Sequence, residues 1–173
     1  TPLRALARDI EQALQQVVDD LEIPWEVARR TGDISSHKKQ KMKEQMPEVL
    51  ITTPESLHIL MAQKGYKNYF SDLDAVVIDE WHELLGSKRG TQTELGLSRL
   101  KHLRPNLNIW GISATIGNLQ EAQDVLLGAE SNTDNAVIIK ADVQKKLNAK
   151  SVLPDDVEKF PWSGHLGTKL LHK

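Results

Sequence analysis

The chain has 173 residues, no cysteine and a formal net charge of −2, with 39% hydrophobic and 27% charged residues. These values are typical of one soluble globular domain. Without cysteine the sequence excludes disulfides and thiolate metal sites, as expected for a reducing compartment. No apolar stretch approaches the roughly 18–20 residues that a membrane-spanning helix needs. We therefore predict a cytoplasmic protein with no membrane partner.

Short apolar strands alternate with amphipathic helices along most of the chain. Ala75–Ile78 contains no polar residue, which is typical of a strand buried on both faces. Thr53 followed by Pro54 predicts the start of a helix, with the threonine as its N-cap. The predicted elements are helix Leu3–Leu21, strand Trp25–Arg30, helix His37–Gln45 capped by Ser36, strand Val49–Ile51, a helix from Pro54, strand Ala75–Ile78, helix Gln92–Leu103, strand Ile109–Ile112, helix Leu119–Leu127 and strand Ala136–Ile139.

This alternation predicts an α/β fold with a parallel sheet and helices on both faces. We assign residues 1–142 to one domain. Residues 143–173 are first polar and charged, with Pro154 among them, and are predicted to form a linker that leads into another domain. We expect Trp25, Trp81 and Trp110 to pack in the core, because each lies in or beside an apolar strand.

Three polar clusters follow predicted strands: Thr52–Glu55, Asp79–His82 and Ser113–Thr115. The carboxyl ends of parallel strands meet at one edge of a sheet, where α/β proteins bind ligands. In P-loop nucleotide hydrolases an acid at such a strand end holds Mg²⁺, and a neighbouring glutamate can position or deprotonate the attacking water. The alternative is a set of surface turns that cap helices. A zinc site of the H-E-x-x-H type is excluded, because Gly86 stands where the second histidine should be.

A basic segment, Arg29–Lys43, carries six bases and a single acid, Asp33. Such a run is often only the solvated face of a helix. The alternative is a surface that follows the phosphates of a nucleic acid. The sequence leaves both open.

The ordered set of motifs resembles the first RecA-like domain of superfamily 2 helicases, the DEAD/DEAH-box group. The resemblance rests on Pro2–Ala7 as motif Ia, Thr31–Asp33 as the following DNA-contacting turn, Thr53–Leu57 as motif Ib, Asp79–His82 as motif II (the Walker B element in its DExH form) and Ser113–Thr115 as motif III. The tryptophan inside the box, followed by Glu83–Gly90, is similar to the Lhr (large helicase-related) family. Within it, Phe160–Gly167 resembles the bacterial ligase-associated DExH branch.

The resemblance implies roles for single residues. Asp79 would hold Mg²⁺, Glu80 would position or activate the hydrolytic water, and His82 would couple the nucleotide state to motif III. The segment Ser113, Ala114 and Thr115 would connect the ATP site with the nucleic acid. The residues implied to bind nucleic acid are Arg4, Thr31, Gly32, Asp33, Thr53, Pro54 and Glu55, and the basic segment could extend that surface.

The resemblance further implies an ATP-dependent DNA helicase or translocase of 3′-to-5′ polarity, acting in DNA repair with ATP and Mg²⁺. Its expected partners are single-stranded or partly duplex DNA, a second RecA-like domain of the same chain, and a DNA ligase or nuclease. One departure is that no G-x-x-x-x-G-K-[ST] sequence occurs. We therefore expect a partial P-loop NTPase domain that lacks its first strand and P-loop, a helicase fragment inactive by itself. Two alternatives are a non-catalytic nucleic-acid-binding module and an RNA helicase of the same superfamily.

Overall fold

The structure, a computed structural model, describes residues 4–114, 116–128 and 136–141. These residues form four strands and seven helices: α1 (Arg4–Asp20), β1 (Val27–Arg30), α2 (Ser36–Glu44), β2 (Val49–Thr52), α3 (Pro54–Met61), α4 (Tyr66–Tyr69), β3 (Ala75–Ile78), α5 (Trp81–Leu84), α6 (Lys88–Leu103), β4 (Asn108–Gly111) and α7 (Leu119–Leu127). The chain divides into two compact units, Thr1–Val137 and Ile138–Lys173. All these elements lie in the first unit. None of the described helices is long and apolar enough to cross a bilayer.

Strands β1 and β2 form a parallel pair whose register runs from Val27 opposite Val49 to Arg30 opposite Thr52. Alternate residues of a strand point to opposite faces, so the pair can pack on both sides. Val27 and Ile51 lie in a buried cluster with Ala7 and Val18 of α1. On the other face, Leu50 packs against a cluster formed by Leu60, Met61, Phe70 and Leu100. This pair therefore has helices on both faces.

Strands β3 and β4 form the second parallel pair, from Ala75 opposite Asn108 to Ile78 opposite Gly111. One face packs against a core of helical side chains. That core consists of Trp81, Leu84, Leu97, Ala122 and Leu126, with Val76, Ile78 and Ile109 packed against it. On the opposite face the cross-strand partners Val77 and Trp110 are 51% and 64% exposed.

The predicted α/β fold with parallel strands and flanking helices is confirmed, although the four described strands join in two separate pairs. The core prediction for the tryptophans is right for Trp81, which is 2% exposed, and wrong for Trp25 and Trp110. Trp110 lies on the open face of β4, whereas its neighbour Ile109 points into the core. Residues 136–141 form no strand, contrary to the prediction for Ala136–Ile139. The predicted domain boundary at residue 142 stays a prediction.

Side-chain caps begin the longer helices after β1, β2, β3 and β4. Ser35, Thr53, Ser87 and Asn118 each accept a hydrogen bond from the backbone N–H three residues ahead. The cap of α2 is thus Ser35, and the predicted cap Ser36 is the first helical residue. Because Ser87 caps α6, that helix begins at Lys88, four residues before the predicted start. Because Thr53 follows β2 directly, the first turn of α3 begins within the polar cluster Thr52–Glu55.

Candidate active site

The acidic pair of the site lies directly after β3. Asp79 and Glu80 are both half-buried, and none of the described residues forms a hydrogen bond or ion pair with the Asp79 carboxylate. Glu80 adopts a left-handed backbone conformation, with φ 50° and ψ 47°, and precedes the short helix α5. Such a conformation in a residue with a side chain costs on the order of 1–3 kcal/mol and is concentrated at functional sites. The strain therefore coincides with the residue expected to act on water.

The ends of β3 and β4 are joined by both side-chain and backbone contacts. The Nδ1 atom of His82 lies 3.0 Å from the Oγ atom of Ser113, within hydrogen-bonding distance. The N–H of Trp81 donates to the carbonyl of Ile112 over 2.9 Å, and the N–H of Ile112 donates to the carbonyl of Ile78 over 2.8 Å. The structure thus brings His82 and Ser113 together. Ala114 is exposed, and Thr115 lies outside the described residues.

His82 also lies close to the acidic pair. Its Nδ1 atom is 3.4 Å from the Oε2 atom of Glu80. Trp81, the residue before His82, holds this segment in the core. Its indole N–H donates to the Ala122 carbonyl over 3.0 Å. Because Trp81 is buried, this bond fixes the segment Asp79–His82 against α7. The His82 side chain thus lies close to both Glu80 and Ser113.

The residues present fit an Mg²⁺ ion that is held chiefly by a nucleotide. Among the described residues, no group of three or more His, Asp or Glu side chains could hold a metal by itself. Mg²⁺ is commonly bound through one or two carboxylates together with substrate phosphates and water. Asp79 offers one such carboxylate, with no competing protein partner in the described part of the chain.

The turn after β1 is held together by its own side chains. Thr31 is fully buried, and its hydroxyl donates to the Asp33 carboxylate and accepts from Arg29 Nη1 over 2.9 Å. Arg29 also pairs with Glu11 of α1, with 3.1 Å between Nε and Oε2. The hydrogen bonds from Thr31 and Arg29 hold the pKa of Asp33 well below its ordinary value. Of the predicted nucleic-acid contacts here, only Gly32 and Asp33 are exposed.

The side chains of the turn after β2 are likewise engaged with other residues of the chain. Thr53 is buried and caps α3, and Pro54 is the buried first residue of that helix. Glu55 accepts two hydrogen bonds from Arg89 of α6, from Nε at 2.6 Å and from Nη2 at 3.1 Å. The bond with Arg89 lowers the pKa of Glu55 to about 2. A ligand at this turn would meet the N-terminal N–H groups of α3, which suit phosphate oxygens.

Two further arginines belong to this region, and one of them, Arg30, is among the six bases of the basic segment. Arg89 ties α6 to the beginning of α3, and Arg30 is 3% exposed at the carboxyl end of β1. The sequence indicated Arg30 only as one base of the basic segment, because its burial depends on tertiary neighbours that the local sequence does not contain. Arg4 is the first residue of α1, and its side chain lies outside the described part.

A parallel α/β domain with a DExH box and a serine-containing turn at adjacent strand ends defines the class of RecA-like helicase domains. The family DEAD/DEAH box helicase matches residues 1–124. The chain belongs to this family.

The chain is similar to several proteins named as Lhr helicases, as the sequence motifs predict. It is 33% identical over 168 residues to the ATP-dependent helicase Lhr-Core of Methanothermobacter thermautotrophicus, covering 90% of this chain and 19% of that protein. It is 32% identical over 139 residues to the Lhr helicase/uracil glycosylase of Escherichia coli, covering 74% of this chain and 9% of that protein. The chain thus spans less than one fifth of the length of these relatives.

Solved structures of helicases share the fold. The Mycobacterium smegmatis helicase Lhr bound to single-stranded DNA and AMP-PNP superposes with a TM-score of 0.65 at 33% identity, covering 74% of this chain and 18% of that one. The DUF1998 helicase MrfA bound to DNA and AMPPNP superposes with a TM-score of 0.62 at 29% identity, covering 72% and 18%. The RecA-like fold predicted from the motifs is confirmed.

Proposed function

We propose that this chain is part of an ATP-dependent DNA helicase or translocase of the Lhr type, with 3′-to-5′ polarity and a role in DNA repair. The observation that carries the proposal is the 3.0 Å contact between His82 and Ser113, because it links the acidic box to the next strand end. A helicase needs such a link between the site of ATP hydrolysis and the surface that binds the nucleic acid. The relatives named Lhr helicase support the same activity.

In this proposal the chain's own groups divide the chemistry of ATP hydrolysis. Asp79 would hold Mg²⁺, which neutralises the charge that develops on the phosphates. Glu80 would accept a proton from the attacking water or orient it, as a general base does. His82 would transmit the position of Glu80 to Ser113, since it lies within 3.4 Å of both side chains. Ala114 and Thr115 would extend that connection toward the nucleic acid.

The proposed track is a nucleic-acid strand across the turns after β1 and β2. Gly32, Asp33 and the start of α3 would meet its backbone, because backbone N–H groups bind phosphate without reading sequence. The burial of Thr31 and Thr53 assigns their hydroxyls to holding these turns in shape. Arg4 and Glu55 would complete the surface. We further propose a second RecA-like domain as the partner across the cleft, a DNA ligase or nuclease as repair partner, and a cytoplasmic location.

The test is the ATPase activity of the complete protein, measured with single-stranded DNA, with RNA and without nucleic acid. We expect turnover to rise with DNA, and Glu80→Gln to lower the stimulated rate by about 10²–10⁴-fold, as for removal of a positioned general base. Glu26→Gln is the matched control, because Glu26 is exposed just before β1 and none of the described residues forms a hydrogen bond or ion pair with its side chain. Stimulation by RNA alone would assign the chain to an RNA helicase. No turnover in any condition from a folded protein would favour the non-catalytic binding module.

A further inference from the structure

A cavity of about 310 Å³ lies between the turn after β1 and the facing sides of α2 and α3. Three cationic side chains line it: Arg30, Lys39 and Lys43. None of the described residues that line it is an Asp or a Glu. The positive charge is therefore not neutralised within the cavity. A volume of this size is at the lower end of the range of small-molecule sites and could take one nucleotide unit.

Arg30 is the strongest sign that the cavity receives an anion. Its side chain is 3% exposed, yet it forms no ion pair with any described residue. Its guanidinium donates a hydrogen bond from Nη1 to the Lys39 carbonyl over 3.2 Å, although a guanidinium carries five N–H donors. Burial lowers the pKa of Arg30, which reports the cost of holding this charge away from water. An anion in the cavity would offset that cost.

The other lining groups suit an anion that carries a sugar. The Nζ atom of Lys39 donates to the Gly32 carbonyl over 3.1 Å, which places that ammonium beside the turn. The Oε1 atom of Gln63 is buried without a hydrogen-bond partner in the described structure, and rotation of the amide would offer an NH₂ donor instead. Ile59 is 61% exposed at the same cavity and supplies an apolar surface. The sugar of a nucleotide could pack against that apolar surface, whereas inorganic phosphate has no apolar part to do so.

We propose that this cavity binds one backbone phosphate of a single nucleic-acid strand, with Arg30 and Lys43 as its cationic contacts and Ile59 against the adjoining sugar. The proposal rests on the proposed function and adds to it a specific phosphate site. It also favours phosphate contact over a purely solvated surface for part of the basic segment. Lys39 and Lys43 line the cavity, whereas Lys41 of the same helix is exposed and does not. The site reads charge and backbone shape, so it accepts DNA and RNA alike.

The test measures binding of fluorescein-labelled oligo-dT and oligo-U to the full chain by fluorescence anisotropy over a series of salt concentrations. Lys43→Gln removes one contact, and Lys41→Gln is the matched control with the same charge change on the same helix. We expect Lys43→Gln to weaken binding about ten-fold for both oligonucleotides and to reduce the salt slope by about 0.7, the value for one lost phosphate contact on a single strand. Lys41→Gln should leave the slope unchanged.

Arg30→Gln gives a second and larger expected loss, and circular dichroism and urea denaturation establish whether that variant folds. If it does not fold, the pair Lys39→Gln and Lys43→Gln carries the test. Inorganic phosphate at matched ionic strength should compete only weakly, because it lacks the sugar. Stabilisation by inorganic phosphate without oligonucleotide binding would overturn the proposal in favour of a free-phosphate site.

The failures of the two proposals are distinguishable. Two results would contradict the phosphate site and leave the helicase proposal intact. One is an equal loss of oligonucleotide affinity in Lys41→Gln and Lys43→Gln. The other is an unchanged affinity in Lys43→Gln, or in Arg30→Gln if that variant folds. Absence of nucleic-acid-stimulated ATPase activity in the complete protein would contradict the helicase proposal, whatever the cavity binds.

Discussion

At the scale of single residues, Glu55 and Arg89 join the beginning of α3 to the beginning of α6. The two hydrogen bonds form a bidentate pair, the geometry in which arginine holds a carboxylate best. Glu55 belongs to the proposed nucleic-acid surface. Arg89 stands seven residues after His82 in the sequence. The pair therefore holds the first turn of α3 against the first turn of α6.

The pair should make stability depend on pH. The pKa of Glu55 lies at about 2, below its ordinary value of 4.5, because Arg89 stabilises the carboxylate. A depressed folded-state pKa stabilises the protein above the unfolded-state pKa, and that contribution is lost as the pH falls from about 4.5 to about 2. Both side chains are partly exposed, so water screens the pair, and we expect Glu55→Gln to lower the free energy of unfolding by only about 0.5–1 kcal/mol at pH 7.

Urea denaturation of both proteins at pH 7, 5 and 3 measures this difference. It should be constant from pH 7 to pH 5 and should shrink at pH 3. Glu44→Gln is the control and should change the free energy of unfolding little at any pH, because Glu44 is exposed and none of the described residues forms a hydrogen bond or ion pair with its side chain. A difference between Glu55→Gln and the original protein that grows as the pH falls would show that the pair does not act in this way.

The residue-scale predictions from sequence succeeded where a motif alone fixes geometry. Asp79 and Glu80 follow a strand, and Thr53 and Pro54 begin a helix, as their order in the sequence indicates. The sequence could not show that the Thr31 hydroxyl is occupied by Arg29 and Asp33, because Arg29 is also held by Glu11, eighteen residues away. Nor could it show that Arg30 is buried. Both depend on tertiary neighbours that a local pattern does not contain.

At the scale of the elements, α5 and α6 were harder to predict than the strands. The segment Glu83–Gly90 contains two glycines and a serine, a composition typical of a loop. In the structure, α5 ends at Leu84 and α6 already begins at Lys88. Gly90 lies inside α6, where a glycine is ordinarily unfavourable by about 1 kcal/mol relative to alanine. Its presence needs a packing reason, and the neighbouring helix supplies one.

Gly90 allows the first turn of α6 to approach the end of α5. A Cβ atom at this position would lie 2.0 Å from the Leu84 carbonyl oxygen and 2.9 Å from the Leu84 carbonyl carbon. These are backbone atoms, which cannot turn aside as a side chain can. We therefore expect Gly90→Ala to lower the free energy of unfolding by about 3 kcal/mol, the upper part of the range for overpacked positions, as measured by urea denaturation.

Gly96 in the same helix provides the matched control. A Cβ atom there would lie 3.3 Å from Leu57 Cδ2, the end of a side chain that can shift. The gain in helix propensity opposes this contact, so Gly96→Ala should change the free energy of unfolding by less than about 1 kcal/mol. Equal effects of the two substitutions would mean that the Leu84 contact does not determine why residue 90 is a glycine.

At the scale of the whole molecule, alternation of short apolar strands with helices was enough to predict a parallel α/β fold. It was not enough to predict how the strands join. Val77 and Trp110 look like core residues in the sequence, because an apolar strand does not reveal whether its second face is covered. In the described structure that face is open. Which strands pair depends on the whole set of elements, and this is the information that periodicity lacks.

The motifs of the sequence lead to a prediction about ATP hydrolysis by the 173-residue chain alone. Asp79 and Glu80 supply the metal-holding and water-positioning parts of a nucleotide hydrolase, but a phosphate-cradling G-x-x-x-x-G-K-[ST] loop occurs nowhere in the 173 residues. Such a loop binds the β- and γ-phosphates through its backbone N–H groups and its lysine. Without these groups the reacting phosphate is not positioned, and positioning is the larger part of phosphoryl-transfer catalysis.

We therefore expect the 173-residue chain to release phosphate from ATP no faster than buffer alone does, with or without single-stranded DNA. A continuous phosphate-release assay with Glu80→Gln as the control measures this. Turnover that disappears in Glu80→Gln would contradict the prediction, and it would require Asp79, Glu80 and the cationic groups of this chain to hold the nucleotide by themselves.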